Sequence, residues 1–411
     1  MPKLLVSSEQ RFTCAQCGRC CHRTTVPVTK AEVEALRAAG VGKWLDEDPF
    51  EPIPGHGGLL RIRKRADGAC VFLTPESRCR IHEAMGERSK PLACRVFPFS
   101  FHPFRGAGAS GQNDDEIVVS ASFACPTVIA NQGAPVSGYQ RDVSRLYADW
   151  ARVFPEAARP VEFVRGHAIS RDALARVRTF LTLLLDRSPD IRANLRRIAK
   201  LLEDWSRPKV LQLPPDALVE YFELTGNYAL GQEGPASQRR ASRVARLLFR
   251  GFLFAVLSLQ LRLDAGEGRS RARLRLTLAR LMAHLHGAGP SVGLFNLRRA
   301  KKLPIGLDDP SVHAIVHRHL QAGFESIGST RRPVIDEVAM RVAYLTAACV
   351  VGAMYAAGAG KTVVDGESLT KGLLAAGDLS QTDAGGRLSD LLTTLSGGLE
   401  ALYLFPALQP V

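Results

Sequence analysis

Eight of the nine cysteines in this chain lie before residue 126, and only Cys349 lies beyond it. Crowding of this kind constrains the first part of the chain more than any hydrophobic pattern. Thiols held close together end as disulfides, as metal ligands or as redox pairs. The stretch from Met1 to Cys14 has no apolar run and no small-residue cleavage site, so no secretory signal is expected and the chain is placed in the cytoplasm. In that reducing compartment, closely spaced cysteines read as metal ligands or redox thiols rather than as a disulfide framework.

The densest signal is Cys14-Ala-Gln-Cys17-Gly-Arg-Cys20-Cys21. Soft thiolates at i, i+3 and i+6 let a short loop wrap one metal centre, and Gly18 permits the tight turn that wrapping needs. Close C-x2-C-x2-C spacing is what ferredoxins use for a [4Fe–4S] cluster, whereas structural zinc more often takes two separated C-x2-C pairs. The spacing therefore leans toward iron–sulfur, with zinc as the alternative. Cys20 and Cys21 are adjacent and do not easily face one tetrahedral ion together; a larger cluster or two nearby centres would use both. Cys70, Cys79, Cys94 and Cys125 complete the candidate ligand set. His22, His82 and His102 lie near cysteines but are expected to support the site rather than ligate. Arg19, Arg80 and Arg95 are candidates for offsetting thiolate charge. Cys349, inside an apolar segment, is expected to be a small buried hydrophobe.

Four local contexts stand in order along the chain: Phe12 to Cys21, Cys70 to Leu73, Cys79 to His82, and Cys94 to Pro98. They resemble the CxxCxxCC or YkgJ-like zinc- or iron-chelating family, over roughly the first 130 residues. That resemblance implies a metal domain without choosing its metal. Ser122-Phe-Ala-Cys125-Pro also looks like an element of the flagellin lysine-N-methylases, which join a similar cysteine domain to a helical region. The Gly-Trp that follows the first cysteines of those proteins is absent here.

After about Pro135 cysteines vanish and 3.6-residue periodicity begins. The fold expected is α+β overall and mainly α: a loop-rich cysteine-cluster metal domain over residues 1–135, then a helical domain over 136–411. In the first domain Thr29 and Glu32 form a capping box ahead of Val33 and Leu36, with Gly40 ending the helix, and Leu59 to Ile62 and Ile117 to Phe123 are β-prone. Arg105 to Asn113 reads as a flexible loop, although Gly106 to Gly111 fits GxGxxG. In the second, Ser170 caps a helix carrying Leu174, Val177, Phe180, Leu181 and Leu184; Pro189 opens another carrying Ile191, Leu195, Ile198 and Leu202.

The net charge of +14 is concentrated between Ser237 and Lys302, where thirteen Arg and two Lys face Asp264 and Glu267. Apolar residues interleave those arginines at helical spacing, so a solvated helix face is the first reading and nucleic-acid binding the other. Val342 to Gly360 carries no charge, but it is rich in Ala and Gly and solitary, so a buried helix is expected and no membrane span. Gly358 to Thr362 lacks the first glycine of a phosphate-binding loop, since Tyr355 stands there.

The function expected is metal or iron–sulfur binding, with the helical domain presenting a surface to a protein partner or substrate. The first alternative is a protein-lysine methylase that would use S-adenosylmethionine, and the second is nucleic-acid binding through residues 237–302. The cysteines alone assign no reaction.

Overall fold

The computed structural model describes residues 3–6, 9–53, 60–104, 116–153, 160–232, 302–328, 330 and 332–380, with isolated positions between 246 and 300 and Leu404–Phe405. The loop 105–113 lies outside the described residues, as does nearly all of the arginine-rich stretch 237–302. Among the described residues the fold is mainly α with a few short sheets. The chain divides into two compact units. The cysteine unit comprises Ser8–Phe101 and Cys125–Ala157; the helical unit comprises Met1–Ser7, which includes strand β1 (Lys3–Val6), His102–Ala124 and Ala158–Val411.

In the cysteine unit, α1 (Arg19–Arg23) leads into a three-stranded antiparallel sheet ordered β2 (Pro27–Val28), β4 (Leu60–Ile62), β3 (Phe50–Pro52). Helix α2 (Lys30–Ala38) starts at the expected capping box: Thr29 Oγ1 accepts from the Glu32 amide at 3.2 Å, and Glu32 Oε2 accepts from the Thr29 amide at 2.8 Å. Glu32 does a second job. Its Oε1 accepts from the Leu92 amide at 2.7 Å, at the first residue of α4 (Leu92–Val96). One carboxylate thus caps one helix and anchors another. Val33 and Leu36 pack with Val28, Phe50, Ile62, Phe72 and Ile81 in a single apolar cluster. Helices α3 (Arg80–Met85), α5 (Pro126–Ala130) and α6 (Gln140–Val153) complete the unit.

A further sheet is ordered β1, β6 (Glu116–Ala121), β5 (Phe99–Phe104), with Leu4 opposite Ile117 in a parallel pair. In the helical unit, β7 (Val161–Val164) and β8 (His167–Ile169) form a hairpin that leads into α7 (Arg171–Leu185), whose cap is the Ser170 side chain. Helix α8 (Ile191–Trp205) begins two residues later than Pro189 suggests, because the Asp190 side chain accepts from the amides of Arg192 and Ala193 and so takes the cap position. After α9 (Pro208–Leu211), Pro215 is the first residue of α10 (Pro215–Gly231). Trp205 stacks on Phe222 at 4.3 Å, beside Phe163 and Phe180. A Cβ at Gly226 would lie 2.5 Å from the Phe180 ring, so only glycine lets α10 approach this close.

Helices α11 (Pro310–Glu325), α12 (Val334–Gly358) and α13 (Gly366–Ser380) follow. By length and composition α12 would suffice to cross a membrane, but 78% of its apolar window is buried inside the protein. Its small residues serve helix packing: a Cβ on Gly352 would sit 2.9 Å from the Ser368 carbonyl oxygen, and one on Gly372 would overlap that of Ala348. The Gly358 to Thr362 stretch follows this helix rather than a strand, and Lys361 is paired with Asp365 at 2.6 Å.

Candidate metal centre

All eight N-terminal cysteines belong to the cysteine unit, because the chain leaves it after Phe101 and returns at Cys125. Cys349 lies apart in α12, buried, its thiol pushed up to about 12 by loss of solvent.

Five thiols are gathered from four places. Gln16 (φ 52°) and Gly18 (φ 69°) both take left-handed backbone, which turns the chain into α1 and sets Cys20 and Cys21 in its first turn. The Cys21 carbonyl accepts from the Cys70 amide at 2.9 Å and from the Lys64 ammonium. Lys64 and Cys70 pair across a turn in which the Arg65 amide donates to Ala69 O at 2.7 Å. A second turn pairs Leu73 with Cys79, and the Arg80 amide donates to Phe72 O at 2.8 Å. Cys79 is the N-cap of α3, and Cys94 sits in α4, held by Glu32. Cys70 is part of the apolar cluster, and Cys21, Cys79 and Cys94 pack against it.

These thiols lie in one another's fields. A hydrogen bond with Cys21 and then burial raise the Cys20 pKa, while burial and then the charges of Cys70, Cys79 and Cys20 raise that of Cys94. Burial raises Cys70 as well, with Lys64 opposing it. The Lys64 ammonium is destabilised by burial and supported by Cys70, Cys21, Cys94 and Cys20. Lys90 adds positive charge near Cys20 and Cys94. Thiols that suppress one another's ionisation yield their protons to a soft cation, which reverses the sign of the local field. As placed, no three His, Cys, Asp or Glu side chains among the described residues close on one ion-sized point.

The other three thiols are arranged differently. Cys14 and Cys17 are exposed. Cys125 is buried at the N-cap of α5; burial raises its pKa, the amides of Val128 and Thr127 lower it, and Cys17 raises it. Two of the three arginines expected to offset thiolate charge, Arg80 and Arg95, have other partners. Arg80 lies over the Trp44 ring at 5.0 Å and bonds Trp44 O, while Arg95 bonds Lys90 O and Asp149. His22 is exposed, His82 is half-buried, and His102 lies in β5.

Residues 13–126 match the CxxCxxCC family, whose model is described as "Putative zinc- or iron-chelating domain". No curated protein and no solved structure matches the chain. The matched stretch takes in all eight N-terminal cysteines, and its donor chemistry agrees with the family description: soft, partly buried thiols with ammonium groups beside them suit zinc or iron.

Lys64 is the residue that spacing alone misses. A signal existed: Ala66-Asp67-Gly68 is turn chemistry, Gly68 has φ 82°, and a hairpin drawn there sets Lys64 opposite Cys70. Replacing Lys64 with Met is expected to weaken metal retention about 10- to 100-fold, the usual cost of losing a group that supports ligands. Competition with a chromophoric chelator measures this, and an unchanged affinity would show that the ammonium serves only the backbone of Cys21.

Proposed function

We propose that this protein is a metalloprotein whose CxxCxxCC domain carries an iron–sulfur cluster, with zinc as the alternative occupant, and whose helical unit serves a protein partner or substrate. The observation that carries the reading is the placing of Cys20, Cys21, Cys70 and Cys94 about Lys64, with Cys79 beside Cys70 and Cys94, from four separate chain segments. Five thiols exceed what one tetrahedral zinc takes, and the adjacent pair Cys20 and Cys21 suits a wider centre better than a single ion. When bound, a cluster supplies one-electron chemistry and zinc supplies a cross-link. The chain's part is to present thiolates, to offset their charge with Lys64 and Lys90, and to shield them with Phe72, Leu73 and Ile81.

Anaerobic purification followed by an absorption spectrum and metal and sulfide analysis tests the proposal. Broad visible absorption with iron and sulfide is the expected result. A colourless protein with stoichiometric zinc assigns the alternative, and a protein purified without either metal overturns the reading.

A further inference from the structure

We infer that the outer face of α8 in the helical unit is a docking surface for the phosphate backbone of double-stranded DNA. The inference goes beyond the metal-binding reading and does not depend on it.

Helix α8 divides into two faces around its axis. Ile191, Leu195, Ile198, Leu202 and Trp205 are buried in the core of the unit. At about 100° per residue, Arg192, Arg196, Arg197 and Lys200 fall on the opposite arc, where the arginines are half-buried and Lys200 is exposed. A merely solvated helix face would set carboxylates three or four positions from its cations, because such pairs stabilise an exposed helix. Other helices of this chain do so. On α6 Arg145 pairs with Asp142 and Arg152 with Asp149, and on α13 Lys371 pairs with Glu367 at 2.8 Å. On α8 none of the three arginines has an acid at those positions. Lys200 has Glu203 and Asp204, yet Asp204 accepts from the Tyr221 hydroxyl at 2.8 Å and pairs with Arg207 at 2.9 Å. Asp190, ahead of the helix, caps the amides of Arg192 and Ala193.

The crowding is unfavourable within the chain. Arg192 stands in the first turn, where the positive end of the helix dipole disfavours a cation. Its Nε is out of water and has no hydrogen-bond partner. Burial and then the charge of Arg187 lower the Arg197 pKa, with Asp190 opposing. An external polyanion relieves all three.

Spacing and chemistry select the polyanion. From Arg192 to Lys200 the helix rises about 12 Å, at about 1.5 Å per residue. Double-stranded DNA carries one negative charge per about 1.7 Å, so this length meets about seven phosphate charges. An acidic helix with a carboxylate at every fourth residue offers about three over the same rise. An anionic membrane is held by a helix that also inserts its apolar face, and that of α8 is committed to the core. Guanidinium groups pair bidentately with phosphate oxygens, and the chain's net charge of +14 draws a polyanion from a distance. The arc carries no Asn, Gln or aromatic side chain, so the contact is with phosphates rather than with base edges.

The test uses the full chain and a short fluorescent DNA duplex, with affinity read by anisotropy over a series of salt concentrations. Binding is expected to weaken linearly in log salt, and a duplex of scrambled sequence is expected to bind equally. The double variant Arg196→Gln, Lys200→Gln removes two cations and is expected to reduce the slope by about 1.8, with circular dichroism checking the fold. Lys200→Gln alone, at an exposed position, should reduce it by about 0.9 and keeps the test available if the double variant does not fold. An unchanged slope would assign any binding to charge elsewhere in the chain and overturn the proposal. So would failure to bind the duplex, or retention by phosphatidylserine vesicles in its place. Metal content enters none of these outcomes, so their failure leaves the metal-binding reading standing.

Discussion

Stripping the metal from the full chain is expected to open residues 9–101 and 125–153 to limited proteolysis while a fragment beginning near residue 160 resists. The elements of the cysteine unit are short. Its sheet strands are two or three residues long, and α1, α3, α4 and α5 have five or six residues each, well below the length at which a helix holds itself together. Its apolar cluster is one compact group, of which Cys70 is a member and Cys21, Cys79 and Cys94 are neighbours. Metal–thiolate bonds contribute on the order of 10 kcal/mol or more in small zinc domains, and here they join segments that touch one another through few backbone bonds. Without the cation, the thiols take protons and the buried Lys64 ammonium loses the negative charge that supports it. Both changes favour opening. Equal resistance of the metal-free and loaded forms throughout would mean that the centre is accessory to the fold and that its thiols serve chemistry instead.

Local signals in the sequence were the ones the structure reproduced. The Thr29–Glu32 capping box, the Ser170 cap and the apolar stripes of α7 and α8 need only neighbours within a turn or two, and each is present. The run from Val342 is helical as far as Gly358, and Gly352 marks where α13 approaches it. What spacing did not reveal is non-local. Cys14, Cys17 and Cys20 are evenly spaced along the chain, and Gln16 and Gly18 both take left-handed backbone between them. The reason Cys125 sits in the cysteine unit is a set of pairings more than 100 positions apart, between residues 9–13 and 131–136. Glu32 announced itself as a cap, but its bond to Leu92, sixty residues later, is what connects it to Cys94. Arginine beside cysteine was a plausible charge offset by proximity along the chain. Lysines 64 and 90 fill that role through the fold instead.

Replacing Trp205 with Ala is expected to destabilise the helical unit by about 3–5 kcal/mol while leaving metal content per chain unchanged. Trp205 is fully buried, stacked on Phe222 at 4.3 Å and in edge contact with Phe180 at 6.2 Å, so truncation empties the largest side-chain volume in that core. Its indole Nε1 donates to Thr225 Oγ1 at 2.7 Å. The Thr225 hydroxyl itself donates to Tyr221 O at 2.6 Å, so it keeps a partner after the substitution, and the cost is set by the cavity rather than by an orphaned polar group. Partial collapse around the void is limited, because Gly226 already brings α10 against Phe180 and leaves little further approach. Chemical denaturation followed by circular dichroism, with metal analysis on the same sample, reads both quantities at once. Loss of metal in parallel with helix stability would show that the cysteine unit depends on the helical one. Retention of metal through the helical transition would instead establish that the centre and its surrounding thiols are held by residues 8–157 alone.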